Sequence, residues 1–171
     1  TQANVGTTVE LFDFDKTTGV ISNPIMLASG GDVKNAYSSE FSADNSKLYV
    51  VAYNGTFIYQ YDLSSGIGSV IRNSRINVGN GNSTKGCLQM GPCNKIYVGL
   101  RGESSLGVVD HPDNLGIACS YINSAVSLGS NTAGLGLPNF NQSFFALPAL
   151  GEDTLICQGQ SIYDSDSEFA N

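Results

Sequence analysis

A single histidine, His111, stands beside a carboxylate in the run Asp110-His111-Pro112-Asp113-Asn114. Such a pair is the base half of a nucleophilic site, and the fold would have to bring a Ser or Cys to it. The run is also made of residues that favour turns, which is the stronger reading. The sequence contains no Gly-x-Ser-x-Gly elbow, no phosphate-binding loop and no His-Glu-x-x-His. Carboxylates offer a second route, since glycoside cleavage needs two of them facing one bond. Asp15, Asp62 and Asp110, however, fall at matching places in a repeat. A residue that recurs in this way serves the repeat, here by accepting hydrogen bonds from the turn that follows. No residue is therefore assigned to catalysis, to a cofactor or to a metal.

The four cysteines, Cys87, Cys93, Cys119 and Cys157, lack the paired spacing of a zinc site. A turn at Pro92 pairs Leu88 with Tyr97 and leaves Cys93 at the loop tip, which disfavours a Cys87–Cys93 bridge. Cys93 with Cys119 is the alternative. With Lys scarce and Asn and Ser abundant, an oxidising, extracellular setting fits best. The run Asp164-Ser165-Asp166-Ser167-Glu168 alternates oxygen ligands but lacks the glycine and distant Glu of a calcium loop, so it reads as a solvated stretch. The Gly79–Ser83 loop has no following Lys-Ser/Thr pair and reads as a connection. Asn54, Asn82 and Asn141 match the N-glycosylation pattern but are read as turn residues.

The elements that must position these groups follow from composition. The chain has 171 residues, 20 of them Gly, with 8 Tyr, 8 Phe and no Trp, and charged residues make up 13%. This suits many strands joined by tight turns. A net charge of −7 leaves no broad positive surface for a phosphate backbone, which argues against nucleic acid. The longest apolar stretch, Phe144 to Leu150, contains Pro148 and is far shorter than the roughly 20 residues that span a bilayer. No leader precedes Thr1, so either a signal peptide has been removed or the chain starts inside a longer protein; the repeat favours the second.

The repeat is the strongest signal. Lys47-Leu48-Tyr49-Val50 returns 48 residues later as Lys95-Ile96-Tyr97-Val98, and Asp62 returns as Asp110 at the same distance. Phe14-Asp15-Lys16-Thr17-Thr18-Gly19 matches Tyr61-Asp62-Leu63-Ser64-Ser65-Gly66 at a distance of 47, which places the start of a third copy before Thr1. One copy reads as strands Tyr37–Ser42, Lys47–Tyr53, Phe57–Leu63 and Arg72–Val78, with a turn at Ala43–Ser46 and the hairpin signal Asn54-Gly55. The next reads as Cys87–Met90, Ile96–Leu100 and a weaker Leu106–Asp110 interrupted by Gly107. Four strands in about 48 residues make a propeller blade, and closure takes about 4 to 8 blades. The expected fold is all-β, a partial β-propeller over residues 1–147. Its missing blades would come from absent residues or another chain.

These residues resemble a known family. Glu40-Phe41-Ser42-Ala43-Asp44-Asn45-Ser46-Lys47-Leu48-Tyr49-Val50 with Ile58-Tyr59-Gln60-Tyr61-Asp62-Leu63 is similar to the propeller repeats of large secreted Bacteroidota proteins, of the YVTN/WD40-like kind. Leu88-Gln89-Met90-Gly91-Pro92 and Leu106-Gly107-Val108-Val109 fit the same pattern. Gly134-Leu135-Gly136-Leu137-Pro138-Asn139-Phe140 with Gln142-Ser143-Phe144-Phe145 resembles the segment that closes these propellers. Where the family's turn reads Pro-Asp-Gly, this chain has Pro92-Cys93-Asn94. Residues 148–171, with Leu150 to Ser161, resemble the first strand of an immunoglobulin-like or PKD-like domain. There Cys157 would be a first-strand cysteine without its partner, and Asp153-Thr154-Leu155 matches the lineage's O-glycosylation pattern at Thr154.

The resemblance implies export by type IX secretion, association with the outer membrane and cell surface, and gliding-motility-associated C-terminal domains in the parent proteins. The function expected is a non-enzymatic binding or structural module of an adhesin-like protein, holding a protein or glycan partner. The alternative is a propeller enzyme, lactonase-like or glycosidase-like, with its site in the central channel.

Overall fold

The computed structural model describes residues 8–29, 33, 35–52, 55–79 and 81–138. By its internal contacts the chain divides into Thr1–Asn139 and Phe140–Asn171. Everything below concerns the first unit. Thr154, Cys157, the acidic run and the proposed second domain lie outside the described residues.

The described chain is mostly β, in antiparallel sheets. Strands β1 (Val9–Phe14) and β2 (Ile21–Ala28) form a two-stranded sheet. Next comes a four-stranded meander of β3 (Ala36–Phe41), β4 (Lys47–Ala52), β5 (Ile58–Asp62) and β6 (Ile76–Asn77). A second meander holds β7 (Lys85–Met90), β8 (Ile96–Leu100), β9 (Ser105–Val109) and β10 (Tyr121–Ser127). In each meander the strands pair in chain order.

The repeat is visible in the register. Lys47 lies opposite Asp62 and Leu48 opposite Tyr61, while Ile96 lies opposite Val109 and Tyr97 opposite Val108. The first strands are offset by one more residue: Glu40 faces Tyr49 as Gln89 faces Tyr97. The reason is the shorter turn at Gly91–Asn94, where Cys93 and Asn94 take left-handed φ of 62° and 56°. That conformation is tolerable for Asn and uncommon for Cys.

Two departures from the strand expectations have physical causes. Where a fourth strand was expected from Arg72, the chain forms a helix, α1 (Gly68–Asn73), and leaves just Ile76–Asn77 in the sheet. The helix buries Ile71 in the core, and Arg72 Nε donates to Met26 O at 2.7 Å. Gly68 permits this, because a Cβ there would stand 2.9 Å from Ile25 Cγ2. Gly107 does not weaken β9: Tyr121 Oη lies 2.8 Å from where its Cβ would be, so the missing side chain makes room for a tyrosine of β10.

Two apolar cores separate the three sheets. The first joins Val9, Leu27, Ala28 and Ile25 to Leu48, Val50, Tyr61 and Ile71. The second joins Tyr49, Val51 and Ile58 to Ile96, Val98, Leu100 and Val109. All six residues of β4 are buried, as a strand with a sheet on each side must be. No helix among the described residues is long and apolar enough to cross a membrane.

Candidate functional site

Two of the recurring aspartates, Asp15 and Asp62, close the turn that follows them, while the Asp110 carboxylate meets Lys95 and His111 instead. Asp15 accepts from Thr17 N (2.8 Å) and Thr18 Oγ1 (2.8 Å), and Asp62 accepts from Ser64 N (3.1 Å) and Ser64 Oγ (2.6 Å). These bonds, first of all those from the Thr18 and Ser64 hydroxyls, hold both carboxyls below the ordinary range. The recurring lysines Lys47 and Lys95 complete the pattern. Lys47 Nζ lies 3.3 Å from Asp62 Oδ1, and Lys95 Nζ lies 2.6 Å from Asp110 Oδ1. The sequence marked these four residues as a period without revealing that they form the same ion pair twice. For Asp110 the hydrogen bond from Lys95 is the leading cause of its lowered pKa.

His111 is largely exposed, with Nε2 3.3 Å from Asp110 Oδ2. Its backbone N–H donates to Cys119 O and its carbonyl accepts from Asn114 N, both at 3.0 Å, so it belongs to the turn. Among the cysteines, the Cys93–Cys119 bridge is not formed: Cys119 is a buried free thiol and Cys87 is free as well. Cys119 packs in the second core, where burial raises its pKa. Cys93 is disulfide-bonded. No group of three or more His, Cys, Asp or Glu among the described residues is arranged to hold a metal.

The densest polar geometry sits between the two four-stranded sheets. Gln60, fully buried, donates from Nε2 to Tyr49 Oη (2.6 Å) and Asn114 O (2.7 Å), and its Oε1 accepts from Gly116 N (2.7 Å). Tyr49 Oη donates in turn to Pro112 O at 2.7 Å. Two side chains of one sheet thus anchor the 112–116 loop of the next, and burial pushes the Tyr49 phenol well above its ordinary value. Asp44 N donates to Asp113 Oδ1 (3.1 Å) beside this anchor.

At the opposite end of the same junction Lys85 is fully buried, donating to Asn123 Oδ1 at 2.5 Å and lying over the Tyr121 ring. Tyr121 Oη also donates to Asn123 Oδ1, and Ser83 Oγ donates to Glu103 Oε1, both at 3.0 Å. Desolvation lowers the Lys85 pKa to about 8, against the raising effect of Glu103. Along the junction's edge, Leu88 N donates to Ser38 Oγ and Met90 N to Glu40 Oε2, each at 3.0 Å. These bonds cap edge-strand N–H groups that would otherwise be open for pairing.

Sequence reasoning missed Gln60, Tyr49, Lys85 and Asn123. A signal was present in the departures from the repeat. Gln60 stands where the next copy has Val108, and Lys85 stands where the preceding copy has Ala36. A polar residue at a position that is apolar in the sister copy marks a contact specific to one junction. No family model and no curated protein matches the chain.

Proposed function

We propose that this unit is part of an extracellular β-propeller that acts as a non-enzymatic binding or structural module, in the manner of an adhesin's rigid spacer or ligand-holding head. The observation that carries the reading is the junction between the two four-stranded meanders. They share one repeat register and one Lys–Asp pair, and they pack face to face over a continuous apolar core. Successive meanders stacked in this way are what a propeller is built from.

The polar chemistry supports binding over turnover. Asp15 and Asp62 close turns, Asp110 is engaged by Lys95, Glu40 caps backbone N–H groups, and Gln60 and Tyr49 hold a loop. These groups are committed to the fold. An adhesive role then rests on the exposed loops, and the cell-surface setting and type IX export remain with the family resemblance.

The test is to present the purified chain to a glycan array while assaying it against lactones and aryl glycosides. Saturable retention of a glycan without product formation is the expected result. Turnover abolished by substitution of a described carboxylate would overturn the reading in favour of a propeller enzyme. Electron microscopy of the natively expressed protein tests the architecture, with ring-shaped particles expected and an open stack of sheets overturning it.

A further inference from the structure

An amine and a carboxamide meet in the interior of the second meander. Lys85 opens β7 and Asn123 lies in β10, the two edge strands of that sheet, so the lysine side chain reaches across β8 and β9. Lys85 is fully buried and Asn123 half-buried. Nζ stands 2.5 Å from Asn123 Oδ1, which places it at most about 3.7 Å from the amide carbon Cγ, given the length of a carbonyl bond. Atoms poised to react stand about 3–3.5 Å apart. The first meander has Ala36 in the place of Lys85, so the repeat itself does not demand this pair.

The surrounding groups have the chemistry of amide exchange. Tyr121 Oη donates to the same Oδ1 at 3.0 Å, where negative charge would gather during attack, and burial keeps that phenol protonated. Asn123 Nδ2, the nitrogen that would leave, donates to Ser83 Oγ at 3.4 Å, and Ser83 Oγ donates to Glu103 Oε1 at 3.0 Å. Glu103 is exposed, so this chain of bonds ends at water. Gly81, at a φ of 81°, lies against the amide, and a Cβ there would stand 2.7 Å from Asn123 Cγ. The loop closes over the carboxamide because it has no side chain at that point. Desolvation lowers the Lys85 pKa and so favours the neutral amine, the form that attacks.

We propose that Lys85 and Asn123 close into an intramolecular amide that ties β7 to β10. The Lys85 nitrogen attacks Asn123 Cγ, the carbonyl electron pair moves onto Oδ1, and the Tyr121 hydroxyl holds the oxyanion. The pair then returns, the Cγ–Nδ2 bond breaks and ammonia leaves. Counted from the lysine ammonium, two protons pass from Nζ to Nδ2, so an ammonium and a carboxamide give an amide and an ammonium ion. Nothing is oxidised or reduced. Glu103, acting through Ser83, is a positioning residue that relays protons to the leaving nitrogen. The product joins the two edges of the sheet, so neither edge strand can be peeled away, and it replaces a buried cation by a neutral group. Lys85 titrates in the unreacted chain and no longer does so once the bond has closed.

The inference needs neither a ring nor a ligand, so it fails separately from the propeller reading. After incubation of the folded chain near pH 8, the reduced protein should be lighter than its sequence by one ammonia. A tryptic digest should then contain a branched peptide joining Lys85 to Asn123, with no cleavage at Lys85. Lys85→Arg and Asn123→Ala should each keep the full mass. Tyr121→Phe should slow ammonia loss by about a hundredfold. Glu103→Gln should slow it about tenfold or more with an unchanged circular dichroism spectrum, and Glu103→Asp should recover part of the rate. A wild-type chain that keeps its full mass and is cut at Lys85 overturns the bond whatever the variants do. An equal loss of mass in Lys85→Arg would come from a succinimide at an Asn-Gly pair and overturns it as well. Closure of Glu103→Gln at the wild-type rate overturns the relay.

Discussion

The two junctions between sheets bury apolar side chains to a similar degree yet differ in what else they contain. The first, between the β1–β2 sheet and the first meander, joins Val9, Leu27 and Ala28 to Leu48, Val50, Tyr61 and Ile71, with Arg72 reaching back to Met26 O. The second adds to its apolar core the Gln60–Tyr49 anchor of the 112–116 loop, the Lys85–Asn123 node and the two bonds from β7 to Ser38 and Glu40. Apolar contact is non-directional, so it fixes that two sheets stack more firmly than how they are turned. Hydrogen bonds to buried groups fix the latter, because each misplaced donor or acceptor costs about 1–3 kcal/mol. Among the described residues the second junction therefore carries more of the contacts that fix how two sheets are turned. In a stack of near-identical units, such departures from the repeat tell one interface from the next.

The largest effects should fail to separate the junctions. Leu27→Ala in the first and Ile58→Ala in the second each remove a fully buried aliphatic side chain. Each should cost about 2–5 kcal/mol, read as a lowered urea midpoint. A loss in Leu27→Ala far below that in Ile58→Ala would mean that the first junction is already loose.

Gln60→Leu separates them. It preserves bulk and strands Asn114 O and Gly116 N, so a loss of about 2–3 kcal/mol is expected, with faster exchange across residues 112–116. A neutral result would show that water enters in place of Gln60 and that the anchor does not set the junction.

Much of the fold could be read from the chain because strand alternation and turn chemistry are local. Ile96–Leu100 was readable to the residue, and the hairpins around Ala43–Ser46 and Gly91–Asn94 follow from their turn residues. What could not be read depends on contacts between distant segments. Gln60 alternates with Tyr59 and Tyr61 along β5, and nothing local shows that a loop more than fifty residues away covers it. Helix α1 displaced most of an expected strand because the Ile71 side chain fills the first core. Gly107 looked like a flaw until Tyr121 occupied its space. For the candidate site, the repeat marked Lys47, Asp62, Lys95 and Asp110 as recurring positions, their pairing required the cross-strand register, and Gln60, Tyr49, Lys85 and Asn123 came to light only through contacts between distant segments.

Lys85 offers an intermediate effect with a defined pH window. Its folded pKa of about 8 lies below the value of 10.5 for a free lysine, so between those limits the unfolded chain holds more protons than the folded one. Stability should therefore gain from Lys85 as pH rises from 8 towards 10.5. Cys119, Tyr49 and Tyr121 act in the opposite sense, because burial raises their pKa values and the unfolded chain loses those protons first, from about pH 9 upwards. The difference between wild type and Lys85→Met isolates the lysine: the stability of wild type relative to the variant should rise across this window in urea titrations. A constant difference would place the amine in water.

The smallest effect distinguishes the two copies of the Lys–Asp pair. Asp62 and Asp110 both have depressed folded pKa values, so each contributes stability that is complete above the ordinary carboxyl value near 3.8 and is lost as pH falls through the folded value. The causes differ in order. For Asp62 the Ser64 hydrogen bonds come first, and for Asp110 the Lys95 contact does. Salt screens a charge pair and leaves a hydroxyl–carboxylate bond within one turn nearly untouched. Titrating urea midpoints from pH 5 to pH 2 at low and high ionic strength should show the contribution removed by Asp110→Asn shrinking in salt, while that removed by Asp62→Asn persists. Equal salt sensitivity would mean that Lys47, at 3.3 Å, holds Asp62 as firmly as Lys95, at 2.6 Å, holds Asp110, and that the two copies are electrostatically alike.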